Sequence, residues 1–151
     1  MSLAIVYTRA ALGIEAPLIT VEVHLSNGLP GLTMVGLPET TVKEARDRVR
    51  SALINSGYAF PAKKITINLA PADLPKEGGR YDLPIALALL VASEQLNTTR
   101  LNQYEFVGEL ALTGGLRGVP GAIPSAMEAI KAGRRIVVSS DNAAEVGLIG
   151  G

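Results

Sequence analysis

The sequence predicts an α/β fold, an α+β two-layer sandwich with a mixed sheet, formed as one domain by residues 1–151. Strand-like patterns dominate the first part of the chain, and strand and helix patterns alternate after it, which is typical of such a sandwich. Residues 83–95 are almost entirely apolar, so they predict a helix at the centre of the fold. A length of 151 residues is enough to bury one hydrophobic core.

The composition excludes several classes of site. The chain has no cysteine, so disulfides, thiolate nucleophiles and cysteine metal sites are absent, and its one histidine, His24, leaves little for a zinc site. Fourteen basic residues balance fourteen acidic ones, so net charge indicates neither a nucleic-acid nor a membrane partner. The amino terminus lacks the basic region of a signal peptide. We expect a cytoplasmic protein without membrane attachment.

Two strands and a helix are predicted in the first third of the chain. Residues 19–25 alternate apolar and polar side chains, a turn follows at residues 26–28, and residues 32–37 form a short apolar strand. We expect the two strands to pair as a hairpin or meander. Thr41 and Glu44 have the spacing of a capping box, so a helix should start there, and Gly57 is placed to end it.

The remaining elements follow from the same patterns. Residues 64–69 alternate as a strand and lead into a loop, after which Asp82 is a candidate N-cap for the apolar helix. Further on, the predicted elements are a strand at residues 106–112, a helix at 123–131, a strand at 134–140 and a last short helix opened by Asp141 and Asn142.

The loop before the apolar helix reads KEGGRYD, residues 76–82, and it allows two interpretations. Its glycines and the charges of Lys76 and Arg80 would suit an anion-binding or backbone-binding loop. Alternatively, it is a tight surface connection in which Arg80 and Asp82 pair across the turn. The chain has no Gly-Lys dipeptide and therefore no P-loop, and it lacks the zincin, nucleophile-elbow and dinucleotide-binding motifs.

Basic side chains of the first helix and the following strand suggest a nucleic-acid contact surface. An ordinary solvated helix surface is the alternative. The candidate residues are Arg46, Arg48, Arg50, Lys63 and Lys64, together with Lys76 and Arg80 of the loop.

Three long stretches carry a family resemblance: GLPGLTMVGLPETTVKEARDRVRSAL, ITINLAPADLPKEGGRYDLPIALALL and VGELALTGGLRGVPG. They closely resemble the amino-terminal domain of the ComM/YifB proteins, which are magnesium-chelatase-like AAA+ ATPases. The resemblance implies a Lon-protease-like fold, related to a ribosomal small-subunit protein and the GHMP kinases. It also implies that a AAA+ motor with Walker motifs, ATP and Mg follows in a longer chain, of which this one is a fragment.

Active Lon-type proteases use a serine in the loop before the central helix and a lysine at the start of a later one. Alignment with those positions places Arg80 at the serine and Ile123 at the lysine. Ser125 and Lys131, in the later helix, match neither role. Because arginine stays protonated and is no nucleophile, the resemblance implies a degenerate domain without peptidase activity and without a cofactor of its own.

By resemblance, the parent protein is a hexameric, ATP-dependent DNA branch-migration helicase of natural transformation and recombination. The domain would then be a non-catalytic accessory domain that helps assembly of the homo-oligomer or guides DNA. The alternatives are a pure protein-interaction module, an active Ser/Lys peptidase and a magnesium chelatase subunit.

Overall fold

The computed structural model describes residues 2–74, 76, 78–97 and 100–147. Strands and helices follow one another in an order close to the predicted one. They are β1 (Leu3–Arg9), β2 (Leu18–Ser26), β3 (Gly31–Val35), α1 (Glu39–Asn55), β4 (Lys64–Ala70), α2 (Asp82–Ala92), β5 (Tyr104–Phe106), β6 (Glu109–Leu110), β7 (Leu116–Arg117), α3 (Ala122–Lys131), β8 (Arg135–Val137) and α4 (Ser140–Gly147).

Six strands form one mixed sheet in the order β3-β4-β2-β1-β5-β8. Strand β2 runs antiparallel to both of its neighbours, β1 and β4, while β3–β4, β1–β5 and β5–β8 are parallel pairs. Strands β6 and β7 form a separate antiparallel hairpin. The predicted α/β class with a mixed sheet is therefore confirmed, and the relationship to the Lon-type fold stays a prediction.

Helix α2 lies at the centre of the core, as its apolar sequence predicts. Its side chains pack against β1 and β2 and against α1, and Ile85 and Leu89 are completely buried. The strands contribute one face each, since alternate residues such as Val21 and Ile67 point into this core. Full burial of an Ile or Leu side chain stabilises the fold by about 1.5–3 kcal/mol.

Two strand predictions were wrong. Strands β2 and β3 do not form a hairpin, because β4 lies between them and the chain returns to it through α1 as a parallel crossover. The predicted strand at residues 106–112 is two short strands, broken at Val107 and Gly108. Their amides donate to Val137 O and Arg80 O instead of continuing one ladder.

Both predicted helix caps were also wrong. Helix α1 begins at Glu39 after Pro38, and Val42 N donates to Pro38 O, so Thr41 already lies inside the first turn. Asp82 is the first residue of α2 and makes no capping hydrogen bond, because its carboxylate is used by other partners. Helix α1 ends at Asn55, two residues before Gly57, which agrees with the prediction that Gly57 ends it.

Candidate functional site

Arg80, at the end of the loop before α2, is a buried residue that joins three segments. Its Nε donates to the Arg9 carbonyl of β1 at 3.0 Å, Nη1 to the Pro120 carbonyl at 2.7 Å and Nη2 to Ser125 Oγ of α3 at 2.8 Å. The residue is 5% exposed. The predicted surface connection with an Arg80–Asp82 pair was therefore wrong, because this side chain points inward to α3.

The charge of Arg80 has no counter-charge in contact. Within the described residues, all of its acceptors are neutral oxygens, and no carboxylate lies within ion-pairing distance. Burial lowers the pKa of Arg80, but guanidinium remains protonated at neutral pH. Three of its five N–H groups are used, so two have no partner in the described part of the chain.

Arg80 forms part of the wall of a pocket of about 600 Å³. Glu109 of β6 lies in the same wall, and its carboxylate packs so closely on Gly79 that a Cβ there would overlap it. Glu109 has no hydrogen bond or ion pair within the described residues. The other residues that line the pocket are Ala11, Leu12, Gly13, Gly78, Tyr81, Gly118, Val119 and Pro120.

Arg9, on β1, is a buried arginine that, unlike Arg80, is paired with a carboxylate. Its Nε and Nη2 form two hydrogen bonds with the carboxylate of Glu105, at 2.7 and 2.9 Å, and Glu105 is completely buried. Arg134 contacts the same carboxylate at 3.1 Å and lies over the ring of Tyr7, 4.1 Å from its centroid. This network joins β1, β5 and the chain before β8.

Asp82 and Arg48 form a second buried ion pair, between α2 and α1. Arg48 Nε donates to the Asp82 carboxylate at 2.6 Å, and the Leu110 amide donates to it at 3.1 Å. Burial raises the pKa of Asp82 to about 6, although both of these hydrogen bonds act to lower it. The hydrogen bond to Asp82 in turn raises the pKa of Arg48.

The other charged residues of the loop are also used internally or lie outside the described residues. Lys76 is 2% exposed, and its ammonium donates to the carbonyls of Pro71 and Leu74. Burial lowers the pKa of Lys76. Glu77 lies outside the described residues. Lys76 and Arg80 are therefore architectural cations of the loop and present no ammonium or guanidinium surface to DNA.

Four of the seven candidate nucleic-acid residues lie at the surface. Arg46 and Arg50 follow each other by one turn of α1, and Lys63 and Lys64 lie at the start of β4. Arg50 lies over the ring of Phe60, 5.9 Å from its centroid, and Lys63 donates to Asn27 at 3.1 Å. Arg48 is separated from this set, because its guanidinium is paired with the buried Asp82.

The two positions aligned with the Lon-type dyad lie beside the same turn. Arg80 contacts Pro120 and Ser125, on either side of Ile123, and Ile123 is the second residue of α3. Ser125 Oγ is completely buried and accepts from Arg80, whereas Lys131 is exposed and pairs with Glu128 at 3.1 Å. Ser125 and Lys131 do not meet.

The described residues provide neither a metal site nor a membrane span. They contain no cluster of three or more His, Asp or Glu side chains that could hold a metal ion. None of their helices has the length and apolar character needed to cross a bilayer.

Comparison with known proteins places the chain in a family. Residues 21–142 match the family described as subunit ChlI of Mg-chelatase. The chain is 83% identical over 149 residues to YifB of Salmonella typhimurium and 64% identical over 149 residues to competence protein ComM of Haemophilus influenzae. It belongs to the magnesium-chelatase-like ComM/YifB family. Both matches include 99% of this chain but only 29% of the relative's length. The chain corresponds to the amino-terminal part of these relatives.

A more distant relative from Mycobacterium tuberculosis is 38% identical over 152 residues and is again covered over 30% of its length.

Glu109 and Arg9 were missed by reasoning from the sequence. Glu109 lies within VGELALTGG, one of the three stretches that carry the resemblance, so that motif was the available signal. No comparable signal marked Arg9, whose partner Glu105 is 96 residues away in the chain.

Proposed function

We propose that this domain is a non-catalytic accessory domain of a ComM-type AAA+ ATPase that acts on DNA. In this proposal the parent is a cytoplasmic homo-hexamer, its motor binds ATP and Mg, and it migrates DNA branches during natural transformation and recombination. The domain has a degenerate Lon-type fold and helps to assemble the ring or to guide DNA. The main support for the proposal is the 64% sequence identity to a competence protein along nearly the whole chain.

The absence of peptidase activity is part of the proposal. It is supported by the chemistry at the two aligned positions, where Arg80 is a protonated, buried guanidinium and Ile123 is apolar. The hydroxyl of Ser125 contacts Arg80, but a buried hydroxyl that accepts from a cation has no base to activate it. The matching family is described by a chelatase subunit, but a chelatase role is not part of the proposal, and the described residues present no cluster of side chains that could hold a metal ion.

The surface that could contact DNA contains fewer basic residues than the sequence suggested. Arg46, Arg50, Lys63 and Lys64 are exposed, and exposed lysines and arginines can contact DNA phosphates. Arg48, Lys76 and Arg80 do not enter this surface, because their side chains are engaged by internal partners.

The test uses the ComM-type protein that carries this domain, binding a branched DNA at several salt concentrations. Changing Arg46 and Arg50 to Glu should weaken binding at low salt and reduce the slope of log K against log salt by about 0.9 for each phosphate that the protein no longer neutralises. The control carries Lys131→Glu and Arg135→Glu, which make the same change of charge at exposed positions on α3 and β8. Equal binding by the two double variants would contradict DNA guidance by α1.

A pure protein-interaction module is the second candidate, because exposed apolar side chains collect near α3. Met127 and Ile130 are 45% and 43% exposed on the helix, and Ile14 is 91% exposed in the loop beside it. If this role is the right one, the charge reversals on α1 leave DNA binding unchanged. Ile14→Ser and Met127→Ser then weaken assembly of the parent, measured by sedimentation velocity.

A further inference from the structure

The pocket beside Arg80 contains a buried positive charge that none of the described residues in contact with it neutralises. We propose that this pocket binds a ligand carboxylate, carried by a molecule that also donates a hydrogen bond to Glu109. A free amino acid or the carboxy terminus of a peptide provides both groups. The inference goes beyond the accessory role in DNA processing and does not depend on it.

The guanidinium of Arg80 is fixed before any ligand arrives. It is 5% exposed, and three hydrogen bonds to β1, the loop before α3 and α3 hold it in place. Two N–H groups have no partner within the described residues. An anion reaching them would gain charge-assisted hydrogen bonds without having to order the side chain first.

Glu109 adds a negative charge to the lining of the same pocket. The Glu109 carboxylate lines the same pocket and, within the described part of the chain, has neither an ion pair nor a hydrogen bond. It repels a chain of phosphates and accepts from an ammonium or amide N–H. A ligand that carries one carboxylate and one hydrogen-bond donor therefore complements both Arg80 and Glu109, whereas nucleic acid does not.

The shape of the pocket suits a small ligand. Four glycines, Gly13, Gly78, Gly79 and Gly118, line the pocket together with Arg80 and Glu109, so the walls carry few side chains there. The pocket volume of about 600 Å³ is in the range of small-ligand sites, roughly 300–1,000 Å³. Tyr81 also lines the pocket, and its buried hydroxyl has no hydrogen-bond partner in the described residues.

The experiment is a calorimetric titration of the 151-residue protein with four probes. They are N-acetyl-alanyl-alanine, its carboxy-terminal amide, free alanine and a single-stranded oligo-dT. We expect the peptide acid or alanine, or both, to bind at least tenfold more tightly than the amide, and oligo-dT not to compete. Preference for the peptide acid identifies a peptide terminus, and preference for alanine identifies a free amino acid.

Two variants test the separate contributions of Arg80 and Glu109 to binding. Arg80→Lys should weaken binding of the acid by about tenfold or more, since it removes the paired N–H groups. Glu109→Gln should strengthen binding of N-acetyl-alanyl-alanine by about three- to tenfold and weaken that of alanine, because it removes a charge that repels the carboxylate and attracts the ammonium. Arg135→Gln, an exposed change on β8, is the control and should bind like the wild type.

The Glu109 variant keeps the proposal testable if Arg80→Lys does not fold, because Glu109 is only partly buried and its carboxylate has neither a hydrogen bond nor an ion pair in the described structure. Equal binding of the acid and the amide would overturn the proposal. So would the absence of binding by both carboxylates, displacement by oligo-dT, or a Glu109→Gln variant that leaves both affinities unchanged.

Discussion

Arg9 and Arg80 are two buried arginines that touch, yet their surroundings differ in kind. Arg80 Nε donates to the carbonyl of Arg9, so the guanidinium of Arg80 contacts the backbone of Arg9. Arg9 shares two hydrogen bonds with the buried carboxylate of Glu105, while Arg80 contacts only neutral oxygens within the described residues. Glu105 neutralises the guanidinium of Arg9, whereas the guanidinium of Arg80 has no counter-charge among the described residues and lies beside a pocket.

Burial alone therefore does not show whether an arginine has a structural or a binding role. A buried pair such as Arg9 and Glu105 satisfies its own charges, and removal of one partner leaves the other uncompensated. A buried arginine held by carbonyls is fixed in position, but its field extends into the adjoining space. We interpret Arg9 as structural and Arg80 as both structural and available to an anion.

Replacement of the paired arginine should have the largest effect. Arg9→Met leaves the completely buried Glu105 with Arg134 as its remaining partner, so we expect the free energy of unfolding to fall by about 3–5 kcal/mol. Urea denaturation of the wild type and the variant measures the difference. A loss below about 1 kcal/mol would show that Arg134 alone neutralises Glu105.

The same replacement at the unpaired arginine should have a smaller effect. Arg80→Met removes three hydrogen bonds, each worth about 1 kcal/mol, but it also removes a buried charge without a counter-charge. We expect a loss of about 1–3 kcal/mol in the same denaturation experiment. If Arg80→Met destabilises the protein as much as Arg9→Met does, the contrast between the two arginines is wrong.

The Asp82–Arg48 pair provides a pH test of a buried carboxylate. The folded pKa of Asp82 is about 6 against an ordinary value of 3.8, so the folded protein binds this proton more tightly than the unfolded chain. Stability from Asp82 is therefore fully present below about pH 4 and falls as the pH rises through 6. Relative to Asp82→Asn, the wild type should lose about 1–3 kcal/mol between pH 4 and pH 7.

Denaturation of both proteins across that range measures the difference. If the wild type gains stability over Asp82→Asn as the pH rises, the pairing with Arg48 outweighs burial and the assignment of the raised pKa is wrong.

The smallest expected effect on stability is at Gly79. Gly79→Ala places a Cβ against Oε1, Cδ and Cγ of Glu109, so the Glu109 side chain must change rotamer; because Glu109 is only partly buried, the loss should stay below about 1 kcal/mol. Gly36→Ala is the contrast: its Cβ would overlap the Leu69 carbonyl, and its φ of +96° disfavours any side chain, so about 2 kcal/mol or more should be lost. Thermal unfolding compares the two variants, and equal losses would mean that Glu109 is fixed.

Much of the fold could be predicted from local patterns. The alternation in β2 and β4, the apolar run of α2 and the helix α3 depend on residues close in sequence, and the structure has all of them. The order of strands could not be predicted, because the parallel pairing of β3 with β4 depends on a crossover and not on the turn after β2. The pattern also left β1 unassigned, although it is the strand between β2 and β5.

Less of the candidate site could be predicted. The sequence drew attention to residues 76–82, and the resemblance to Lon-type proteases predicted that Arg80 stands at the position of their serine. It could not tell that Arg80 turns inward to Ser125, 45 residues away, or that Asp82 pairs with Arg48 and not with Arg80. Side-chain partners of this kind are decided by long-range packing, which a single sequence does not reveal.

The difference between the two arginines can be observed directly in one titration. The side-chain N–H resonances of Arg9 and Arg80 are recorded by ¹⁵N NMR while N-acetyl-alanyl-alanine or free alanine is added to the protein. We predict saturable shifts at Arg80 with at least one of the two ligands, and resonances of Arg9 that stay where they are. Shifts of equal size at both arginines, or none at Arg80 with either ligand, would contradict the assignment of Arg80 as the anion-binding arginine.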